Sequence, residues 1–151
     1  MTTRAFDISV RGALAATAAM AAFGCGPSPI TSARIERAVA PTFANLVHLQ
    51  ILRVGLTPVA ASDIRVRARC HRLAADGSAA GAGEWECILD WYGPNRRSLR
   101  DVYDLSVGTD GCYTGIVEGG EGRLGGPTVP AQDGRSVRNL LYAFDGCFDT
   151  T

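Results

Sequence analysis

Two cysteines in a predicted β-hairpin constrain the fold of this chain more than any other feature. Cys70 lies in the segment DIRVRARCHRL and Cys87 in EWECILDWY, with a loop rich in Ala and Gly between them. If they face each other, the same antiparallel register places opposite charges together on one face and apolar residues together on the other. The charged pairs are Arg67 with Asp90 and His71 with Glu86, and the apolar pairs are Val66 with Trp91 and Ala68 with Leu89. Because a shift of one residue would put both faces out of phase, the pattern predicts a Cys70–Cys87 disulfide.

Length and composition bound the class of protein. The chain has 151 residues, 46% of them hydrophobic, and a formal net charge of zero. This content is sufficient for one modest core and is unlike that of a disordered chain. The balanced charge argues against a nucleic-acid partner, because nucleic-acid binders are strongly basic.

The N-terminal segment has the layout of a signal peptide. Arg4 and Arg11 precede an uncharged, mostly apolar run from Gly12 to Phe23. This run is shorter than the roughly 20 apolar residues that a bilayer-spanning helix needs. We therefore expect residues 1–24 to direct export and to be removed.

The end of this segment, Ala22-Phe23-Gly24-Cys25, resembles the lipobox of bacterial lipoproteins. The resemblance implies that Cys25 becomes the N-terminal residue, carries lipid and anchors the protein to the cell membrane. Residues 25–31, including the Gly26–Pro29 stretch, would then be a tether. The same Ala-x-Gly sequence also suits ordinary signal peptidase, which would leave Cys25 unmodified and the protein secreted.

The other four cysteines are an even set in an exported chain. Such sets usually form disulfides, and four cysteines allow three connectivities. With Cys70 assigned to Cys87, the second pair is Cys112–Cys147. The rival interpretation, a zinc site, lacks the C-x-x-C spacing that such sites use.

The remaining periodicities predict an α+β domain over residues 32–151. Ser32 can cap a helix that is either kinked or restarted at Pro41, and Phe43, Leu46, Val47 and Ile51 continue at helical spacing up to Gly55. A third strand covers Arg100 to Val107, and the Asp110-Gly111 turn pairs Leu105 with Ile116, which places Cys112 on the buried face. Residues Ser136 to Phe144 have the spacing of a short helix. The expected fold is an N-terminal helix packed on a four-stranded antiparallel sheet, with a short C-terminal helix and two disulfides.

No motif predicts catalysis, a cofactor or a metal. Gly120 to Gly125 matches G-x-G-x-x-G, but Gly126-Pro127 follows instead of a helix, so a surface loop is expected. The carboxylate pairs, Asp101 with Asp104 and Glu84 with Glu86, are interpreted as solvated charge. His48 lies at the margin of the helix stripe without an acidic or cysteine neighbour at ligand spacing.

The strongest candidate binding surface is an arginine stripe on the hairpin. Arg65, Arg67 and Arg69 alternate along one face and suit an acidic partner or lipid headgroups, although Asp90 and Glu86 neutralise part of the charge. Trp85, Trp91 and Tyr92 are assigned to core or hairpin-end packing. Helix-on-sheet folds commonly serve as binding or inhibitory modules, and by this fold analogy we expect a non-catalytic binding module at the cell surface. The alternatives are an exported hydrolase of unfamiliar type and an inhibitor of an extracellular enzyme.

Overall fold

The computed structural model describes residues 29–93, 97–119 and 124–150. The leader, Cys25 and most of the glycine-rich 120–125 motif therefore lie outside the described residues. Pro29 is exposed, but Ile30 is buried and its carbonyl accepts a hydrogen bond from the Gly81 amide at 2.8 Å. Thr31 forms a β-bridge with Ala80. Ile30 and Thr31, expected in the tether, thus belong to the folded domain.

One long helix, α1, covers Ser32–Arg53. It begins after Thr31, which is the N-cap in place of the expected Ser32. It continues through Pro41, so the restart, one of the two alternatives predicted at this proline, is wrong. Proline removes the hydrogen bond to the carbonyl four residues earlier, which belongs to Arg37. Because Arg37 and Pro41 are both exposed, water can satisfy that carbonyl. The buried stripe includes Phe43, Val47 and Ile51, as predicted.

The main sheet has five antiparallel strands in the order β1-β2-β3-β4-β7. Its strands are β1 (Val66–Arg72), β2 (Gly83–Tyr92), β3 (Ser98–Val107), β4 (Cys112–Val117) and β7 (Ala143–Cys147). A second, two-stranded sheet pairs β5 (Thr128–Pro130) with β6 (Ser136–Arg138). A 3₁₀ turn at Ala61–Asp63 connects α1 to β1. The α+β class is therefore confirmed, and the four-stranded sheet is corrected to five strands.

The register of the first hairpin is confirmed throughout. Val66 pairs with Trp91, Arg67 with Asp90, Cys70 with Cys87, and His71 with Glu86. Cys70 and Cys87 form a disulfide with a Cα–Cα distance of 4.1 Å, and both residues are buried beneath α1.

The predicted register of the second hairpin is wrong by one residue. Leu105 pairs with Gly115, not Ile116, and Val107 pairs with Tyr113. The Gly108 amide donates to the Cys112 carbonyl at 2.8 Å, so the loop has three residues and not two. Gly111 takes a φ of 81°, the left-handed conformation that such a loop needs. Tyr113 and Val117 therefore face the core, while Ile116 is exposed.

The predicted C-terminal helix is also wrong. Residues Ser136–Arg138 form β6, a turn follows, and Ala143–Cys147 forms β7 beside β4. Leu141 and Phe144 do enter the core, but as parts of a turn and a strand. Nine residues allow either periodicity, and pairing with distant strands decides between them.

The core lies between α1 and one face of the five-stranded sheet. Phe43 of α1 makes edge-on contacts with Trp91, Tyr103 and Phe144, at ring-centroid distances of 5.4, 5.7 and 6.3 Å. The second disulfide joins Cys112 to Cys147, which pair directly across β4 and β7. These are the expected partners. However, Cys112 is not on the buried face, because the register shift turns it outward.

Candidate binding site

The three arginines of the stripe are exposed, but they do not form one uniform surface. Arg69 Nη2 contacts Asp90 Oδ2 at 2.6 Å, and Arg100 Nε contacts Asp90 Oδ1 at 2.7 Å. The hydrogen bond from Arg100, together with the charges of both arginines, lowers the pKa of Asp90 below its ordinary value. Arg65 and Arg67 have no ion-pair partner among the described residues. Within the stripe, these two arginines therefore carry the positive charge that no ion pair of the described residues neutralises.

The aromatic residues of the hairpin divide between core and surface. Trp85 and Trp91 are buried, whereas Tyr92 is 54% exposed. The Trp91 indole N–H donates to Asp101 Oδ2 at 2.7 Å. Asp101 is itself only 7% exposed, so its assignment to solvated charge is wrong.

The other residues considered for chemistry are dispersed. Glu84 and Asp104 are exposed, and Glu86 is half-buried near His71. His48 Nδ1 lies 2.6 Å from the Val59 carbonyl oxygen. Among the described residues, no group of three His, Cys, Asp or Glu side chains has the geometry of a metal site. In the same part of the chain, no helix is both long and apolar enough to cross a bilayer.

The two edges of the main sheet differ in how they are covered. At the β1 edge, the Cys70 amide donates to Glu36 Oε1 of α1 at 2.9 Å. At the other edge, β7 and the residues beside it form hydrogen bonds on their inner side, towards β4. The Val117 amide donates to Tyr142 O, and the Phe148 amide donates to Gly111 O. Because bonding alternates along an antiparallel strand, the backbone groups of residues 143, 145 and 147 point away from β4. No hydrogen bond from these outward groups is found within the described ranges.

A groove borders this free edge between α1 and the C-terminal segment. Its volume is about 490 Å³, and its lining includes Arg34, Arg37 and Asn45 of α1 together with Cys147 and Phe148. The groove therefore combines a helix face that carries two arginines with the end of the β7 edge strand.

The guanidinium of Arg34, in the wall of this groove, contacts the C-terminal segment. Its Nη2 donates to the Asp149 carbonyl, and its guanidinium carbon lies 5.8 Å from the centroid of the Phe148 ring. Its Nη1 atom is buried and has no hydrogen-bond partner in the part of the chain that the structure describes. Arg34 therefore adds positive charge to the wall of the groove, and Arg37, which is exposed, is the arginine that an anionic group in the groove can contact.

The sequence did not predict this site because it depends on the C-terminal segment. Ser136 to Phe144 was predicted to be a helix, so the sequence did not predict the edge strand β7. Arg34 and Arg37 of α1 are not part of the alternating arginine stripe of the hairpin, which was the predicted binding surface. Their spacing, Arg34 and Arg37 at i and i+3, was the one available signal.

Comparisons of the chain with protein-family models, with curated protein sequences and with solved structures give no match.

Proposed function

We propose that this protein is an exported, lipid-anchored, non-catalytic binding module that adds an extended segment of a partner protein to the free edge of β7. The observation that carries the proposal is the row of backbone groups at Ala143, Asp145 and Cys147 that have no partner among the described residues, beside the groove lined by Arg34 and Arg37. A strand edge of this kind supplies alternating donors and acceptors for another chain. Backbone hydrogen bonds would give affinity, and the groove would select side chains.

The export part of the proposal is supported by the leader and by the cysteines. Two disulfides indicate an oxidising, extracytoplasmic environment. The lipobox-like sequence before Cys25 suggests attachment to the membrane through lipid. Ile30 is already buried in the folded domain, so a lipid on Cys25 would leave at most residues 26–29 between the membrane and the domain.

The charges around the edge indicate the chemistry of the partner. Arg37 is exposed on the helix side of the groove, and Asp145 is exposed on the opposite face of β7. An added strand directs alternate side chains to the two faces. The best partner would therefore carry an acidic residue on the helix side and a basic residue at a neighbouring position on the other side.

The same charges disfavour pairing between two copies of this protein. In the fully overlapped antiparallel register, Asp145 of one copy would lie opposite Asp145 of the other. Like charges directly opposite each other destabilise a strand pair. A different protein with complementary charge is the better occupant.

The test is selection of a phage-displayed library of random dodecapeptides on the immobilised mature protein. We expect enriched peptides that contain adjacent acidic and basic residues. Their binding to Asp145→Pro should weaken at least about fivefold, because proline removes one edge donor and blocks the approach of a strand. Asp145→Ala is the matched control, since it removes the charge but keeps the amide.

A charge-reversal variant tests the groove. On Arg37→Glu, the same selection should replace the enriched acidic residue with a basic one. Failure to enrich any peptide, or equal binding of enriched peptides to Asp145→Pro and Asp145→Ala, would contradict the proposal. Enrichment of the same acidic peptides on Arg37→Glu would show that the groove does not select the side chains of the partner.

A further inference from the structure

The two disulfides of this protein lie on opposite faces of the main sheet. Cys70 is 7% exposed and Cys87 is 0% exposed, because both lie on the face that α1 covers. Cys112 alternates with the core residue Tyr113, so its side chain points to the other side of the sheet, hereafter the open face. Its partner in β7, Cys147, is exposed to solvent.

The two disulfides are otherwise alike. Each joins residues that lie directly opposite each other on neighbouring antiparallel strands, Cys70 with Cys87 and Cys112 with Cys147. Each also fastens one edge strand of the sheet to the strand beside it. The main difference between them is therefore the access that a reagent in solution has to the sulfur atoms.

A groove lies beside the exposed disulfide. Its volume is about 370 Å³, and Cys112 and Cys147 both line it. The charged residues of its described lining are Asp110 and Asp145, which are both exposed. Asp110 Oδ1 accepts a hydrogen bond from the Cys112 amide at 3.0 Å, so a carboxylate lies next to the disulfide.

These carboxylates favour a reagent with positive charge. A disulfide is attacked by a thiolate, and the negative charge passes through the reacting sulfurs to the thiolate that leaves. Nearby carboxylates repel this charge, and a positive group on the attacking thiol would offset the repulsion. Arg34 and Arg37, which share another groove with Cys147, belong to α1 and therefore to the covered side of the sheet.

We infer that Cys112–Cys147 is a thiol–disulfide exchange site for an extracytoplasmic thiol that carries positive charge beside its sulfur. The thiolate attacks Cys147, because this residue is exposed whereas Cys112 is half-buried. A bond forms between the two attacking and attacked sulfurs, the Cys112–Cys147 bond breaks, and its electron pair leaves on the Cys112 sulfur, which takes up a proton.

A second thiolate completes the reaction. It attacks the sulfur of the bound reagent, so that Cys147 leaves as a thiolate and is protonated. Two reagent thiols are thereby oxidised to one disulfide, and the protein gains two electrons and two protons. The inference goes beyond partner binding at β7 and does not rest on it.

Reduction would leave β7 attached to the domain through its other contacts. Phe144 packs edge-on against Tyr103, with ring centroids 5.1 Å apart. The Phe148 amide donates to the Gly111 carbonyl at 3.1 Å. We therefore expect the reduced protein to stay folded and the exchange to be reversible.

The test compares the two disulfides within one sample of the oxidised mature protein. The protein is treated with cysteamine, a cationic thiol, and quenched with N-ethylmaleimide, and peptide mass mapping then reports each cysteine. Cys112 and Cys147 should be released at least about tenfold faster than Cys70 and Cys87, because the buried pair reacts only when the structure opens. In concentrated urea, where both pairs are accessible, the two rates should agree within about twofold. The first intermediate should carry cysteamine on Cys147 and maleimide on Cys112.

A second thiol tests the role of charge. Each rate is divided by the rate of the same thiol with a small uncharged disulfide. On this scale and at low salt, cysteamine should reduce Cys112–Cys147 at least about threefold faster than the anionic 2-mercaptoethanesulfonate does. The preference should shrink at high salt and in Asp110→Asn, which keeps an oxygen for the Cys112 amide. Asp133→Asn, the same change in the β5–β6 turn and outside this groove, should keep the preference.

Equal native rates for the two disulfides, or earlier reduction of Cys70–Cys87, would overturn the exchange site. A difference that persists in urea would also overturn it, because access would not be the cause. Equal scaled rates for the two thiols would overturn the charge selectivity, and cysteamine found first on Cys112 would overturn the assignment of the attacked sulfur. If Asp110→Asn does not fold, the salt dependence of the wild type decides. No peptide is involved, so failure of strand capture at β7 would leave these rates unchanged.

Discussion

At Asp101, a carboxylate occupies an inward position of β3. Asp101 shares the buried face of the strand with Tyr103, Leu105 and Val107. There it accepts the indole N–H of Trp91, which would otherwise be a buried donor without a partner. Strand alternation places Asp101 on the same face as Tyr103, and this could have been read from the sequence. The prediction of an exposed position rested instead on the charge of Asp101. The need of Trp91 for an acceptor could not be predicted without the fold.

Substitution of Asp101 should therefore destabilise the fold. We expect Asp101→Leu to lower the free energy of unfolding by about 1–3 kcal/mol, because the Trp91 indole loses its acceptor. Asp104→Leu, the same change at an exposed position three residues along β3, should stay within about 0.5 kcal/mol of the wild type. Urea unfolding with both disulfides intact measures the two values. Equal losses would show that the buried bond is not the cause.

The two hairpins show when an element can be predicted from sequence. In the first, charge pairs and apolar pairs on opposite faces are satisfied by a single register, and the cysteines agree with it. In the second, the only strong signal was Asp110-Gly111, which fits a two-residue or a three-residue loop. The Asp110 side chain selects the longer loop, because its Oδ1 accepts the Cys112 amide at 3.0 Å. The resulting shift of one residue reversed the predicted faces of β4.

The loop between β3 and β4 should be intolerant of a side chain at Gly111. A Cβ there would lie 2.5 Å from the Phe148 carbonyl oxygen, in addition to the strain of a φ of 81°. Gly134 has nearly the same φ, 80°, with no atom within 4 Å of a Cβ, so Gly134→Ala isolates the backbone strain. We expect about 1–2 kcal/mol of destabilisation for Gly134→Ala and at least about 1 kcal/mol more for Gly111→Ala. Thermal unfolding compares them, and similar losses would mean that Phe148 moves away without cost.

Across the whole molecule, the disulfides fasten both outer pairs of strands in the main sheet. Cys70–Cys87 joins β1 to β2, and Cys112–Cys147 joins β4 to β7. Both lie at positions where the pattern of hydrogen bonds brings opposite Cα atoms closest, which suits a direct cross-strand bridge. The bond at Cys147 holds β7 in the sheet even though no described residue pairs with the other side of the strand. A fixed edge loses little conformational freedom on binding, which would favour the proposed capture of an extended partner.

The proposed attachment of this domain to a membrane predicts a specific covalent state of the mature chain. Intact-mass analysis of the membrane fraction should find a chain that begins at Cys25 and carries the mass of attached lipid. Reduction should add about 4 Da, because each of two disulfides takes up two hydrogens. A chain that begins at Gly26 or upstream of Cys25, without lipid mass on Cys25, would contradict the anchor. The disulfides would still indicate export, and the β7 edge would then belong to a secreted protein instead of a tethered one.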